Sequence, residues 1–298
     1  MQARDLWQLV KQAFDDWNQD NAPRLGAALS YYTLFSLAPL LIVAIAVAGL
    51  VFGQDAAQGQ IVGELRGLVG PAGAQAVEEM IKNSRREEAG ILATVLGLIT
   101  LFLGATGAFA ELKSSLNVVW DVESPSAGVW GLVRSRLWAF ALVLAVGFLL
   151  LVSLIVSAAV AATDTILARF VTEPSVILHA LNTALSLIVI TALFALIFKY
   201  LPDAAVSWGD VWVGAVFTSA LFTLGKFLIG LYLGHSSLGS VYGAAGSIVV
   251  VMVWVYYAAQ IFFFGAELTQ AYARRHGSWR ERRQPAPHGQ GALKPSPA

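Results

Sequence analysis

The sequence predicts an all-α, polytopic membrane protein, with six transmembrane helices, an N-terminal amphipathic helix and a short helical extramembrane cap. Three observations carry this. Hydrophobic residues make up 57% of the 298 and charged residues only 13%, about half the charge with which a soluble domain covers its surface. The apolar residues fall into long runs, several exceeding the roughly 18 residues needed to cross hydrocarbon. Basic residues are also spread unevenly over the segments that join those runs. Net charge is zero, so no global basic field points to nucleic acid. The chain has no cysteine, which excludes disulfides, thiolate metal sites and cysteine nucleophiles. The first apolar run begins near Gly26 and is too long for a signal-peptide core, so no cleavable signal is expected.

Residues 1–25 read as an amphipathic interfacial helix: Leu6, Val10, Ala13, Phe14 and Trp17 recur at helical spacing among Asp5, Lys11, Asp15 and Asp16. Residues 26–273 read as one membrane domain. Its first span, about 26–52, is polar early on (Ser30, Tyr31, Tyr32, Thr33, Ser36), and Pro39 should kink it. Residues 53–89 read as the cap, two short helical patterns parted by Gly70-Pro71. The second span, about 90–110, sets Gly90, Gly97, Gly104 and Glu111 seven apart on one face, a close-packing signal. Residues 111–136 read as a loop containing Leu116-Asn117-Val118-Val119-Trp120. The third span, about 137–162, is almost wholly Leu, Val and Ala and suits a lipid-facing helix. The fourth, about 176–201, groups His179, Asn182, Thr183 and Ser186 on one face. The fifth covers about 210–233 and the sixth about 245–268. Residues 274–298, with five Arg, one Lys and four Pro, read as a disordered basic tail.

Six spans place both ends on one side. If that side is the cytoplasm, inner segments hold 13 basic residues and outer segments 5, with Lys226 inside a span. Positive loops stay inside, so both ends are expected in the cytoplasm.

The stretch Ala27-Ala28-Leu29-Ser30-Tyr31-Tyr32-Thr33-Leu34-Phe35-Ser36-Leu37-Ala38-Pro39-Leu40 resembles the first span of the YihY/BrkB family of bacterial inner-membrane proteins. Leu201-Pro202-Asp203, Lys226, Tyr242-Gly243-Ala244-Ala245-Gly246-Ser247, Trp254, Tyr256 and Gly265-Ala266-Glu267 extend the resemblance over about residues 5–273. It implies six spans and a bacterial inner membrane. Members of the family have carried the labels ribonuclease BN, virulence factor and serum-resistance protein. Genetic links of some relatives to envelope lipid export imply transport. The resemblance supplies no catalytic residue set.

Transport or translocation of an anionic or lipid-like substrate is the leading expectation, because the spans carry polar stripes that must face partners or water. On the fifth span Ala215, Ser219, Thr223, Lys226 and Gly230 share a face, opposite Val213, Val216, Phe217, Leu221, Leu224 and Leu228; on the sixth, Gly246, Tyr256, Gln260 and Glu267 cluster. Lys226 lies about 10 Å below the outer end of its span at 1.5 Å per residue. A charge there costs on the order of 2–3 kcal/mol and wants a counter-group. The candidate substrate-binding residues are Lys226, Thr223, Ser219, Asn182, Ser186, Tyr256 and Gln260; Pro39, Gly243, Gly246 and Glu267 are candidate gating or structural positions. The partners expected are membrane lipids and an anionic lipid or small anion, with no nucleic acid and no cofactor.

A non-catalytic scaffold for envelope assembly is the alternative, since packing alone explains small residues. An intramembrane serine protease would need Ser247 against His179 or His235, an arrangement that spacing alone does not supply. A ribonuclease is disfavoured, because His179, His235, His276 and His288 are scattered with no metal-ligand spacing. No Walker motif is present, and Glu267, near the inner end of its span, is a poor deep proton carrier. The expectation is therefore a protein with no catalytic and no metal-binding residues.

Overall fold

The computed structural model describes residues 3–84, 107–123, 175–235 and 246–279, all of it helix and short connections. The amphipathic α1, Ala3–Gln19, buries Leu9 and Ala13 and leaves Leu6, Trp7 and Phe14 exposed. It stops at Asn21, whose φ of 53° is left-handed, a conformation Asn tolerates better than most residues. The Asn21 carbonyl accepts the Arg24 and Leu25 amides and so opens α2, Ala22–Phe52. Pro23 falls in that first turn, where a missing N–H breaks no bond.

Helix α2 is continuous through Pro39; the Pro39 side chain and any contact it makes lie outside the described residues. It ends at Gly53, φ 82°, a left-handed position that suits glycine. The next residue starts α3, Gln54–Ser84, so the single-residue hinge folds α3 back along α2. Two short helices parted by Gly70-Pro71 were expected here. Instead Pro71 sits inside one 31-residue helix, on its exposed side. The loop expected from 111 is likewise helical. Residues 107–119 form α4, which buries Leu116, Asn117, Val119 and Trp120. It closes with Asp121 in the left-handed region, the Val122 amide on the Asn117 carbonyl and the Asp121 amide on Val118, the paired bonds of a Schellman cap.

Helices α5, Ser175–Tyr200, α6, Trp208–His235, and α7, Gly246–Arg275, stand where the fourth, fifth and sixth spans were expected. Ser207 caps α6, its Oγ accepting the Asp210 amide at 3.3 Å. The second and third expected spans, apart from residues 107–110, lie outside the described residues. Among the described residues, two helices are long and apolar enough to cross a membrane, Trp208–Leu233 and Ile248–Arg275.

Helix α7 is the hub, touching α1, α2, α3 and α6. Near its C-terminal half one core gathers Trp120, Phe194, Phe198, Val211, Phe262 and Phe263. Near its N-terminal half a second gathers Ile45, Val77, Ile81, Ile229, Leu233 and Val251. Ordered structure continues into the segment expected to be tail. The Ser278 amide and hydroxyl donate to the Asp210 carboxylate at 3.0 and 2.7 Å, Trp279 Nε1 donates to the Ala205 carbonyl at 3.0 Å, and Trp279 stands 5.3 Å from the Trp120 ring.

Candidate ligand-binding and polar sites

The stripe expected on α6 is turned inward at its start. Ala215 and Ser219 are fully buried, while Val213, Val216, Leu224 and Leu228 on the opposite side are exposed. Ser219 shares a 2.7 Å hydrogen bond with Thr191 of α5, and the Thr223 hydroxyl donates to the Ser219 carbonyl at 2.8 Å. Hydroxyls in an apolar bundle are satisfied in this way, by a neighbouring helix or by their own turn. Thr191 was missed by sequence reasoning, because at 3.6 residues per turn it lies about 140° round α5 from Ser186, off the face that groups Asn182 and Ser186.

The Thr191–Ser219 bond sets the antiparallel register of α5 and α6. Seven residues further along α6, Lys226 falls level with residue 184, between Asn182 and Ser186. Lys226 and Ser186 are half-buried; the Asn182 side chain lies outside the described residues. On the α7 side of α6, an open groove of about 380 Å³ is lined by Leu228, Ile229, Tyr232, Val253, Tyr256 and Tyr257, whereas Lys226 continues the stripe that faces α5. Its walls are almost wholly apolar, with Tyr256 among them.

Gln260 and Glu267 lie on a different face of α7, toward α2 and α1. A Cβ at Gly26 of α2 would collide with the Gln260 side chain, so the absence of one lets the two backbones approach. The Gln260 amide oxygen and nitrogen have no hydrogen-bond partner, and neither do the two oxygens of Glu267, which is fully buried. Around Glu267 stand three acids. Asp20 comes from the α1–α2 turn, Asp16 from α1 and Asp121 from the α4 cap. Gln270 Nε2 reaches Asp121 at 3.4 Å, and Arg274 forms an ion pair with the same carboxylate. Burial, then the negative charge of Asp121, lifts the Asp20 carboxyl above its ordinary range.

A third polar knot ties α4 to the α5–α6 link. Buried Asn117 donates its amide to Asp203 at 2.8 Å and accepts the Asp203 amide at 2.8 Å. Lys113 adds an ion pair at 2.9 Å. This is the structural reason for the Pro202-Asp203 turn, and Asn117 was missed because its stretch read as loop. Gly246 is buried at the start of α7; the Ser247 side chain and all of Gly243 lie outside the described residues.

Long apolar helices and inward hydroxyl stripes define a helical membrane protein. The chain belongs to the virulence factor BrkB family, whose model matches residues 13–290. It is 27% identical to a UPF0761 membrane protein of Verminephrobacter eiseniae, over 90% of this chain and 63% of that one. A UPF0761 membrane protein of Pseudomonas paraeruginosa is also 27% identical, again over 90% and 63%. One of Vibrio vulnificus is 27% identical over 88% of this chain and 81% of its own. The chain thus spans less than two thirds of the first two relatives. No solved structure matches.

Proposed function

We propose that the protein is a six-span, inner-membrane translocator of an amphiphilic substrate with an anionic head, working without catalytic chemistry and with both ends in the cytoplasm. The observation that carries this reading is the neighbourhood of Lys226. Helix α6 carries a hydroxyl stripe that runs toward the cation Lys226 on its α5 side and, at the same level on its α7 side, lines an apolar groove. An ammonium attracts phosphate or carboxylate, while a groove walled by Leu228, Val253 and three tyrosines suits an acyl chain. The exposed Leu6, Trp7 and Phe14 of α1 would lie on the inner membrane surface. Transfer of a fluorescent anionic lipid between leaflets of liposomes holding the purified protein tests this reading. Transfer no faster than in empty liposomes would refute it.

A scaffold is the second reading. Its support is the close α6–α7 contact, in which Gly214 faces Thr269 and Gly265 faces Thr218, geometry that serves rigidity without a ligand. In liposomes a scaffold would transfer no lipid.

A further inference from the structure

Glu267 poses a problem that the translocator reading leaves open. Its side chain reaches no solvent, and among the described residues both oxygens lack a donor and the charged groups that act on it are acids. Asp20 stands within interacting reach of the Glu267 carboxyl. Asp16 also turns an unpartnered carboxylate oxygen inward. Among the described residues, the cations at this end are held elsewhere: Arg274 by Asp121, and Arg24 of α2 in an exposed position. Helix α6 meets this stretch of α7 through Gly214 and Thr218, and its one nearby acid, Asp210, is turned to Ser278. An unpaired buried carboxylate is costly on the order of several kcal/mol, and two carboxyls at close quarters cannot both ionise cheaply.

Such a carboxyl calls for a neutralising positive charge. Among the described residues, no group of three or more acids or histidines converges closely enough to hold a metal ion. A proton needs only two oxygens. Glu267 falls 19 residues into the apolar helix that starts at Ile248, about 28 Å along it at 1.5 Å per residue. That is the edge of a hydrocarbon layer roughly 30 Å thick, level with the half-exposed Asp20. Water at the α1 end can reach Asp20, and Asp20 can pass the proton inward to Glu267.

We propose that Glu267 and Asp20 form a carboxyl pair that binds one proton at the α1 end of the bundle, with Asp20 as the entry and Glu267 as the buried seat. Asp121, held by Gln270 and Arg274, completes the negative wall. If the protein moves a substrate, this pair is where a proton gradient couples to it; that role rests on the translocator reading, whereas the proton site does not. No bond other than O–H forms or breaks, and the proton comes from and returns to water.

Infrared difference spectroscopy on the purified full-length protein, taken against pH, tests the site. The wild type should show a protonated-carboxyl band at neutral pH that disappears on alkaline titration. Glu267→Gln should remove it. Asp20→Asn, a change at a half-exposed turn that the fold tolerates, should shift the band's disappearance to lower pH by about one unit, because a neighbouring negative charge is gone. No band in the wild type, or a band that persists in Glu267→Gln and titrates unchanged in Asp20→Asn, would overturn the proposal. Lipid transfer is measured in the same preparations. A band that behaves as expected while no preparation transfers lipid upholds the proton site and rejects the translocator reading.

Discussion

Thr218 of α6 covers the bare Cα of Gly265 on α7, and one turn away the arrangement is mirrored, with Thr269 of α7 over Gly214 of α6. Each threonine hydroxyl returns to its own helix, Thr218 to the Gly214 carbonyl and Thr269 to the Gly265 carbonyl, both at 2.7 Å. The two Gly-x-x-x-Thr motifs therefore interlock without leaving a hydroxyl unsatisfied. Added atoms have no room here, so Gly265→Ala should destabilise the protein by about 1–3 kcal/mol through overpacking. Gly265→Ala combined with Thr218→Ala should recover much of that loss. Thermal unfolding in detergent, run as a double-mutant cycle, reads both effects.

Asn117 should matter more than its charged neighbour. Asn117→Ala strips the Asp203 amide and carboxylate of a buried partner, a loss of about 1–3 kcal/mol. Lys113→Ala removes only a partly exposed ion pair, worth under about 1 kcal/mol. Parallel melting curves of the two variants check the order.

These two contacts show where sequence reading succeeds and where it stops. Helices α5, α6 and α7 were legible because each is a long apolar run, a signal that needs no partner. The inward turn of Ala215 and Ser219 was legible because small and polar residues recur at helical spacing. The continuity of α3 was not, because Gly70-Pro71 reads as a break unless packing against α2, α6 and α7 holds the helix through it. The α4 end was hidden by Lys113 and Asn117, polar residues whose partner Asp203 is 86 or more positions away. Glu267 was noticed, but Asp20 lies 247 residues earlier, and no local pattern brings the two together. The paired Gly-x-x-x-Thr motifs were visible in the sequence, and reading them as a mutual contact would have found Thr218.

Asp20 gives a pH dependence of defined sign. Its carboxyl sits above the ordinary value of 3.8, chiefly through burial, so the fold favours the protonated form. The associated stability is whole below pH 3.8 and is lost as pH rises through the higher native value. Asp20→Asn, neutral throughout, should melt above the wild type at pH 7, with the difference closing toward pH 4.

The proposed topology places Gln58 and Ser237 outside and both ends in the cytoplasm. Cysteines introduced singly at those positions, into a chain with none of its own, should react with an impermeant reagent added to intact cells. Reaction only after the cells are opened would reverse the orientation.

Lipid transfer by Lys226→Met and Lys226→Arg in liposomes at matched protein levels distinguishes a substrate site from a membrane anchor. Met is similar in length and suits lipid, so the fold should stand, while transfer of a probe with an anionic head should fall about tenfold, equivalent to about 1.4 kcal/mol of lost head-group interaction. Arg keeps the charge and should retain part of the rate. Full transfer by folded Lys226→Met would contradict the account, reducing Lys226 to an anchor at the membrane surface and moving the substrate site elsewhere.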